Sequence, residues 1–299
     1  MDIKRLELFC RVVDLKNFTR AAESVRLSQP SVSEHIRLLE EAVGEKLLDR
    51  LGREVLATPA GEVLYRYARQ IIRLRDEALQ AIDQFRGELS GSLVVGASSI
   101  PGTYLLPQWI EPFKGKYPSI RTTVRIGDTE QVLAQLLDGE VELALVGARK
   151  KESRVNFVEL LSDELVLAVP PGSPLARRGA IDIAELTEVP FILRELGSGT
   201  RSVMSEALAT AGLDTDKLRV IAEMGNTEAV RQAVRAGVGV SILSRISIVD
   251  DLERGDLAVV GIKGVKILRH IWLATRHNRQ LSPLAAAFES YLRSVAEVS

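Results

Sequence analysis

A chain of 299 residues, 46% hydrophobic and 26% charged with a formal net charge of −1, has room for two or three domains with real cores. Near-neutrality gives nucleic-acid binding no support from bulk charge, and residues 1–58 are equally balanced, ten bases against ten acids. No apolar run approaches membrane-spanning length, no secretory h-region follows Met1, and the lone Cys10 excludes a disulfide framework and fits a reducing cytoplasm.

Leu6, Phe9, Val12 and Val13 keep helical spacing and predict a first helix ending near Asp14–Asn17, with Cys10 as core filler. Thr19 has the side chain of an N-cap for a short helix over Arg20–Arg26, with Ala21, Ala22 and Val25 inward. Leu27-Ser28-Gln29-Pro30-Ser31 then interrupts the pattern. Ser28 can accept from a free helical N–H, and Pro30 is tolerated in a first turn, so the interruption reads as a restart. The third helix is expected from Gln29 to Glu41, stopped by Gly44. Val32, Ile36 and Leu39 point inward, which leaves Gln29, Ser31, Ser33, Glu34, His35 and Arg37 outside.

Such a helix suits a major groove: Gln pairs with adenine, Ser hydroxyls serve bases or phosphates, and free N–H groups favour a phosphate. Arg50–Leu56 reads as a hairpin with Gly52 at its turn and Arg50 and Arg53 outside, a wing for the DNA backbone or minor groove. A small helical packing domain with a solvated polar helix is the alternative. The restart, the outward hydroxyls and the wing together favour double-stranded DNA, with Ser28, Gln29, Pro30, Ser31, Ser33, His35, Arg37, Arg50 and Arg53 as the expected contacts.

These residues also carry a resemblance. Phe9, Ala21-Ala22, Leu27-Ser28-Gln29-Pro30-Ser31-Val32-Ser33, Ile36, Leu39-Glu40, Gly44, Leu47, Arg50 and Thr58-Pro59-Ala60-Gly61 follow the pattern of LysR-type transcriptional regulators. The resemblance covers the first sixty or so residues and implies a winged helix-turn-helix with Gln29, Pro30, Ser31 and Ser33 at operator DNA. Two positions depart from it. Glu34 stands where a base or an amide is common, and an acid repels phosphate; Leu48 replaces a Phe.

Thr58 as cap, Pro59 at the first helical position and Glu62 in the first turn open a helix running to about Arg86. Leu64, Tyr67, Ile71, Leu74, Ala78, Ala81 and Phe85 alternate steps of three and four, a heptad seam. The expected partner is a second copy, which would set two recognition helices on one duplex face; packing of the seam on its own domain is the alternative. The resemblance implies the same linker helix, usually within tetramers, and RNA polymerase as a further partner.

Gly87–Ser92 is a polar hinge, with expected units at 1–58, 59–87, 88–92 and 93–299. Beyond it strands alternate with helices: strands near Leu93–Ala97, Ile120–Ile126, Glu142–Val146, Leu165–Val169, Phe191–Leu193, Leu218–Glu223, Val238–Leu243 and Ile271–Ala274. Helices are expected near Tyr104–Phe113, Thr129–Leu137, Arg201–Ala211, Glu228–Ala236 and Leu284–Leu292. This predicts an α/β body with mostly parallel strands and two subdomains, about 93–169 with 268–299, and about 170–267.

Ligands in such sheets bind beyond strand C-termini, where helices begin. Four starts qualify: Ser98-Ser99-Ile100-Pro101-Gly102, Gly127–Gln131 with Asp128 and Gln131 spaced as a capping pair, Gly197-Ser198-Gly199-Thr200-Arg201, and Gly225–Glu228 with Thr227. Hydroxyls and free N–H groups suit a small anion, and Arg201 offers a bidentate partner. Helix caps alone explain many such residues, but 98–102 and 198–201 hold more hydroxyl and glycine than capping needs. The two-subdomain pattern resembles the LysR effector domain, itself like periplasmic solute-binding proteins. It implies a cleft flanked by Ser98, Ser99, Asp128, Thr129, Gly147, Ser198 and Thr200, with Arg194–Arg201 similar to regulators of sulfur-oxyanion metabolism.

No enzyme is expected, and no metal or cofactor. His35, His270 and His277 lack ligand spacing, no Walker loop or Gly-x-Ser-x-Gly elbow is present, and Gly237-Val238-Gly239 follows a helix and opens a strand, the reverse of a dinucleotide fingerprint. A solute-binding transport protein is the rival for 93–299, but it needs export and leaves the first ninety residues without a role. The expectation is a cytoplasmic DNA-binding regulator sensing a small anionic effector.

Overall fold

The computed structural model describes residues 2–51, 54–85 and 89–296, with side chains there except at 50, 51, 77, 80, 81 and 83–85. Two compact units result, Met1–Glu88 with Asp138–Glu140, and Leu89–Leu137 with Val141–Ser299.

In the first unit, α1 (Ile3–Leu15), α2 (Phe18–Ser24) and α3 (Gln29–Val43) close around Leu6, Phe9, Val12, Ala21, Val32, Ile36 and Leu39. The cap of α2 is Asn17, not Thr19; its side-chain Oδ1 accepts from the Arg20 N–H at 3.0 Å. Asn is as good a cap as Thr, and Phe18 is buried in a helix that starts two residues earlier. Ser28 caps α3 by accepting from the Ser31 N–H at 3.3 Å, and Gly44 ends it at φ +82°, where a side chain would be strained. Cys10 is buried, and burial above all pushes its thiol up to about 12, so it stays protonated and inert.

The antiparallel pair β1 (Leu48–Leu51) and β2 (Glu54–Ala57) forms the wing. Glu40 anchors it: its buried carboxylate accepts from the Leu47 N–H at 3.0 Å and Lys46 Nζ at 2.6 Å. Thr58 caps α4 (Pro59–Phe85) by accepting from the Gly61 N–H at 3.0 Å.

The heptad seam divides. Leu64 and Ile71, with buried Ala68, pack on the chain's own N-terminal core, while Tyr67 is 60% and Leu74 64% exposed and Ala78 is exposed too. The division falls between alternate positions of the seam: Leu64 and Ile71 lie on one edge of the stripe, and Tyr67 and Leu74 sit roughly 40–60° round the helix from the nearer of them, beyond the reach of the domain's own core. The apolar stripe left free is Val63, Tyr67, Leu74, Ala78 and Ile82. Ala81 and Phe85 have side chains outside the described set.

In the second unit, β3 (Gly91–Ser98), β4 (Ile120–Gly127) and β5 (Leu143–Val146) run parallel, with α5 (Leu106–Lys116) and α6 (Thr129–Asp138) between them. A π-helical turn over Pro101–Leu105 precedes α5, so the helix expected from Tyr104 has two parts. Then the plan departs from mostly parallel. β6 (Val155–Val169) and β12 (Ile267–Arg276) pair antiparallel over nearly their whole length, Val155 opposite Arg276 through Leu165 opposite Ile267. They form the spine of a sheet ordered β4-β3-β5-β12-β6-β11-β7, where β7 is Ala180–Ile181 and β11 Ala258–Ile262, and they serve both halves. The second half adds β8 (Phe191–Arg194), α7 (Gly199–Thr210), β9 (Val220–Met224), α8 (Thr227–Arg235), β10 (Ser241–Ser244) on β6, and α9 (Val249–Arg254). Helix α10 (Pro283–Ala296) returns to the first half through Phe288 and Leu292. Each half has its own core, Leu93, Phe113 and Phe288 in one, Phe191, Leu208 and Ile242 in the other.

Candidate DNA-binding face and effector cleft

On the first unit, the exposed start of α3 presents Ser28, Gln29, Pro30, Ser31 and Ser33, each at least partly exposed. His35 is half-buried, and its Nδ1 has no hydrogen-bond partner among the described residues. Arg37 is engaged. Its Nε donates to Glu34 Oε2 at 2.8 Å and its Nη2 to Glu34 Oε1 at 2.6 Å, while Nη1 reaches Glu41. The hydrogen bonds to Arg37 hold the Glu34 carboxyl below its ordinary value, so the helix carries a fixed carboxylate there. The Arg50 side chain and all of Arg53 lie outside the described residues.

On the second unit, the ends of β3, β4 and β8 and the starts of α6 and α7 face one narrow cleft, lined by Ser98, Ser99, Ile100, Asp128, Thr129, Gly147, Ser198, Gly199 and Thr200 together with Arg194 and Arg269. Asp128 is spoken for: its Oδ1 accepts from the Gln131 N–H at 2.8 Å while Gln131 Oε1 accepts from the Asp128 N–H at 3.2 Å. Ser98 Oγ accepts from the Gly147 N–H at 3.2 Å and ties two strand ends together. The Thr129 hydroxyl is buried with no partner among the described residues, a free donor at a helix start.

Backbone approaches these side chains closely. A Cβ on Gly147 would stand 2.8 Å from Arg269 Nη1, and one on Gly197 2.7 Å from the Asp128 carboxylate oxygens. Glycine is there because nothing larger leaves room.

Two arginines absent from the sequence-based site also reach the cleft, each paired with a carboxylate. Arg194 is buried; its Nη2 donates to Ser99 Oγ at 3.2 Å across the cleft, its Nη1 to Thr227 Oγ1, and its Nε to Glu195 Oε2 at 2.7 Å. Arg269 on β12 stands directly opposite Asp163 on β6; Nε donates to Asp163 Oδ2 at 2.8 Å and Nη1 to Thr200 Oγ1 at 2.9 Å. Asp163 Oδ2 also accepts from Ser244 Oγ at 2.7 Å, and its Oδ1 has no partner among the described residues. Burial draws the Arg269 guanidinium below its ordinary value, against the opposing pull of Asp163, and the nearby positive charge of Arg194 adds to the fall.

The structure thus gathers most of the expected ligand residues but sets two apart. Arg201 does not line the cleft: its Nη1 donates to the Arg194 carbonyl at 2.7 Å and to Glu223 Oε2 at 2.6 Å, stapling α7 to β8 and β9. Thr227 stands behind Arg194 as an acceptor, outside the lining. Arg194 was within reach of sequence reasoning, since it opens the Arg194–Arg201 segment; Arg269, in a strand of alternating residues, carried no local signal.

A winged helix-turn-helix joined through a long helix to a two-part α/β cleft defines a DNA-binding regulator with an effector domain. Residues 3–62 match the family described as "Bacterial regulatory helix-turn-helix protein, lysR family", and residues 86–297 the "LysR substrate binding domain". The chain belongs to the LysR family of transcriptional regulators. It is 33% identical over 296 residues to the RuBisCO operon transcriptional regulator of Allochromatium vinosum, covering 99% of this chain and 97% of that one. Its second unit is similar to the regulatory domain of CcmR from Synechocystis PCC6803 in complex with 2-PG, with 30% identity, a TM-score of 0.64, and coverage of 70% of this chain and 98% of that one. The fold of full-length CbnR with its target DNA matches at a TM-score of 0.72 over 99% of this chain and 100% of that one, with 22% identity. The curated relative is named for the RuBisCO operon, so it lends no support to the sulfur-oxyanion likeness of 194–201. No helix among the described residues is long and apolar enough to cross a membrane.

Proposed function

We propose that this regulator senses a small phosphorylated or similarly multi-oxygen anion in the cleft and does no chemistry on it. The observation that carries the reading is the pair of buried guanidiniums, Arg194 and Arg269, facing a space lined by hydroxyls and two helix starts. It is supported by CcmR, whose regulatory domain binds 2-phosphoglycolate.

Arg194 joins the two halves, since it belongs to β8 and donates to Ser99 beyond β3. An anion with several acceptors competes with Glu195 and Ser99 for that guanidinium, and its other oxygens reach the Thr129 hydroxyl and the first N–H groups of α6 and α7. Binding therefore favours the arrangement in which both halves touch the ligand, and only that difference in affinity can move the equilibrium. Titration calorimetry on the full chain tests this with 2-phosphoglycolate, inorganic phosphate and glycolate. Binding of the first, weakened about a hundredfold by Arg194→Ala, is expected; equal indifference to all three sinks the reading.

The rest of the reading assigns 1–58 to operator DNA through Ser28, Gln29, Pro30, Ser31, Ser33 and His35, with Arg50 and Arg53 on the wing. Residues 59–87 pair two copies through the stripe of Val63, Tyr67, Leu74, Ala78 and Ile82, and the cytoplasm and RNA polymerase are its setting and partner. Exposed residues the size of Tyr67 and Leu74 are each worth roughly 1.5–3 kcal/mol when fully covered, so Tyr67→Glu with Leu74→Glu should yield monomers in sedimentation. Undiminished dimers would place the pairing elsewhere.

A further inference from the structure

Glu34 is the one residue on the exposed start of α3 that operator binding leaves without a task, because a carboxylate beside a phosphate is repelled. Its surroundings suggest one. Gln29, Ser33, Glu34 and Arg37 line a single concavity along α3. Arg37 grips Glu34 through a two-pronged fork, Nε to Oε2 at 2.8 Å and Nη2 to Oε1 at 2.6 Å, and Glu41 holds the remaining Nη1.

We propose that Glu34 reads a base, accepting the exocyclic N4 amine of a cytosine in the major groove, and that Arg37 is its positioning residue rather than a phosphate clamp. This rests on α3 being the helix that enters the groove. A carboxylate has about four lone-pair directions, and the fork uses one on each oxygen. What is left is a rigid acceptor with no donor. In the major groove only the cytosine and adenine amines donate, and adenine sets its N7 acceptor beside that amine, where it repels a second acceptor. Cytosine is the better match. Arg37 meanwhile has three of its N–H groups turned to carboxylates, and Glu34, Arg37 and Glu41 together carry a formal charge of −1. A cluster of that sign belongs over base edges, away from the backbone.

Selection from a randomised duplex library, followed by anisotropy titrations of the full chain against single-position variants, tests the assignment. Wild type should prefer C·G at one position of each half-site. Glu34→Gln should move that position toward A·T, since an amide pairs bidentately with adenine, and change the C-to-A ratio about tenfold or more. The same variant should bind random duplex more tightly, because the acid's repulsion is gone. Arg37→Ala should erase the preference at that position without creating another and leave the salt dependence unaltered, which loss of a phosphate contact would not. Both side chains are about half exposed, and circular dichroism melting shows that each variant folds. An unaltered preference at every position in both Glu34→Gln and Glu34→Ala overturns the proposal; a reduced salt slope in Arg37→Ala overturns the positioning role. A wild-type chain with no sequence preference would instead bring down the groove assignment of α3 itself.

Discussion

Two arginine–carboxylate pairs in this molecule have the same charges and opposite circumstances. Arg37 and Glu34 meet on the surface of α3, while Arg269 and Asp163 face each other across β12 and β6 with 2% and 0% of their side chains exposed. In water the pair is cheap to form and cheap to lose, and it serves to hold a side chain in one orientation. Buried, each ion has given up hydration that only the other and a few hydroxyls replace, so removing one partner leaves a charge with nothing to offset it. The surface pair can be changed for specificity without risk to the fold; the buried pair cannot be changed alone.

The largest effect expected from this contrast is at Arg269. Arg269→Ala strands Asp163 and should cost about 3–5 kcal/mol in urea unfolding, whereas Arg269→Met with Asp163→Leu should recover most of it. A single variant as stable as wild type would mean that Asp163 is easily neutralised in place. Next come the cleft hydroxyls: Thr200→Ala or Ser98→Ala should weaken effector binding by roughly tenfold, the scale of one hydrogen bond to a charged group, while operator binding by the effector-free chain is unchanged. Joint loss of both activities would indicate misfolding.

A smaller effect concerns acid. The hydrogen bond from Arg231 in the first place sets the Glu228 carboxyl at about 2, below its ordinary 4.5, and Tyr104 and Gln232 add to it. A carboxyl lowered by folding contributes stability that is complete above 4.5 and disappears as pH falls toward 2. Glu228→Gln should flatten that limb of the unfolding midpoint against pH and leave the neutral region alone. Smallest of all, Arg37→Ala should leave the melting temperature within error of wild type, in contrast to Arg269→Ala.

The same contrast separates what the sequence disclosed from what it concealed. Near the N-terminus contacts are local: Ser28, Pro30 and Gly44 bracket α3 within sixteen or so residues, and Val32, Ile36 and Leu39 mark its inner face, so reading along the chain suffices. In the cleft, the starts of α6 and α7 announced themselves through Asp128, Gln131, Ser198 and Gly199. Arg269 did not, because its partners Asp163 and Thr200 are 106 and 69 residues away. β6 and β12 were underestimated for a related reason. Glu159, Asp163 and Glu164 on one and Arg269 and His270 on the other look like solvated loop when read singly, and only their pairing makes them strand. The heptad of α4 misled in the other direction, by spreading residues of two faces over one regular spacing.

Gly147 and Gly197 lie flush against Arg269 and Asp128, with no space for even a methyl group. They work as the fixed jig of the sensor: the hydroxyl-bearing positions around them are interchangeable inserts, the jig is not. Retuning this regulator to another metabolite is therefore a matter of varying residues 98, 99, 129 and 200 while both glycines are kept, and a library that randomises the whole rim would be dominated by members whose halves no longer meet.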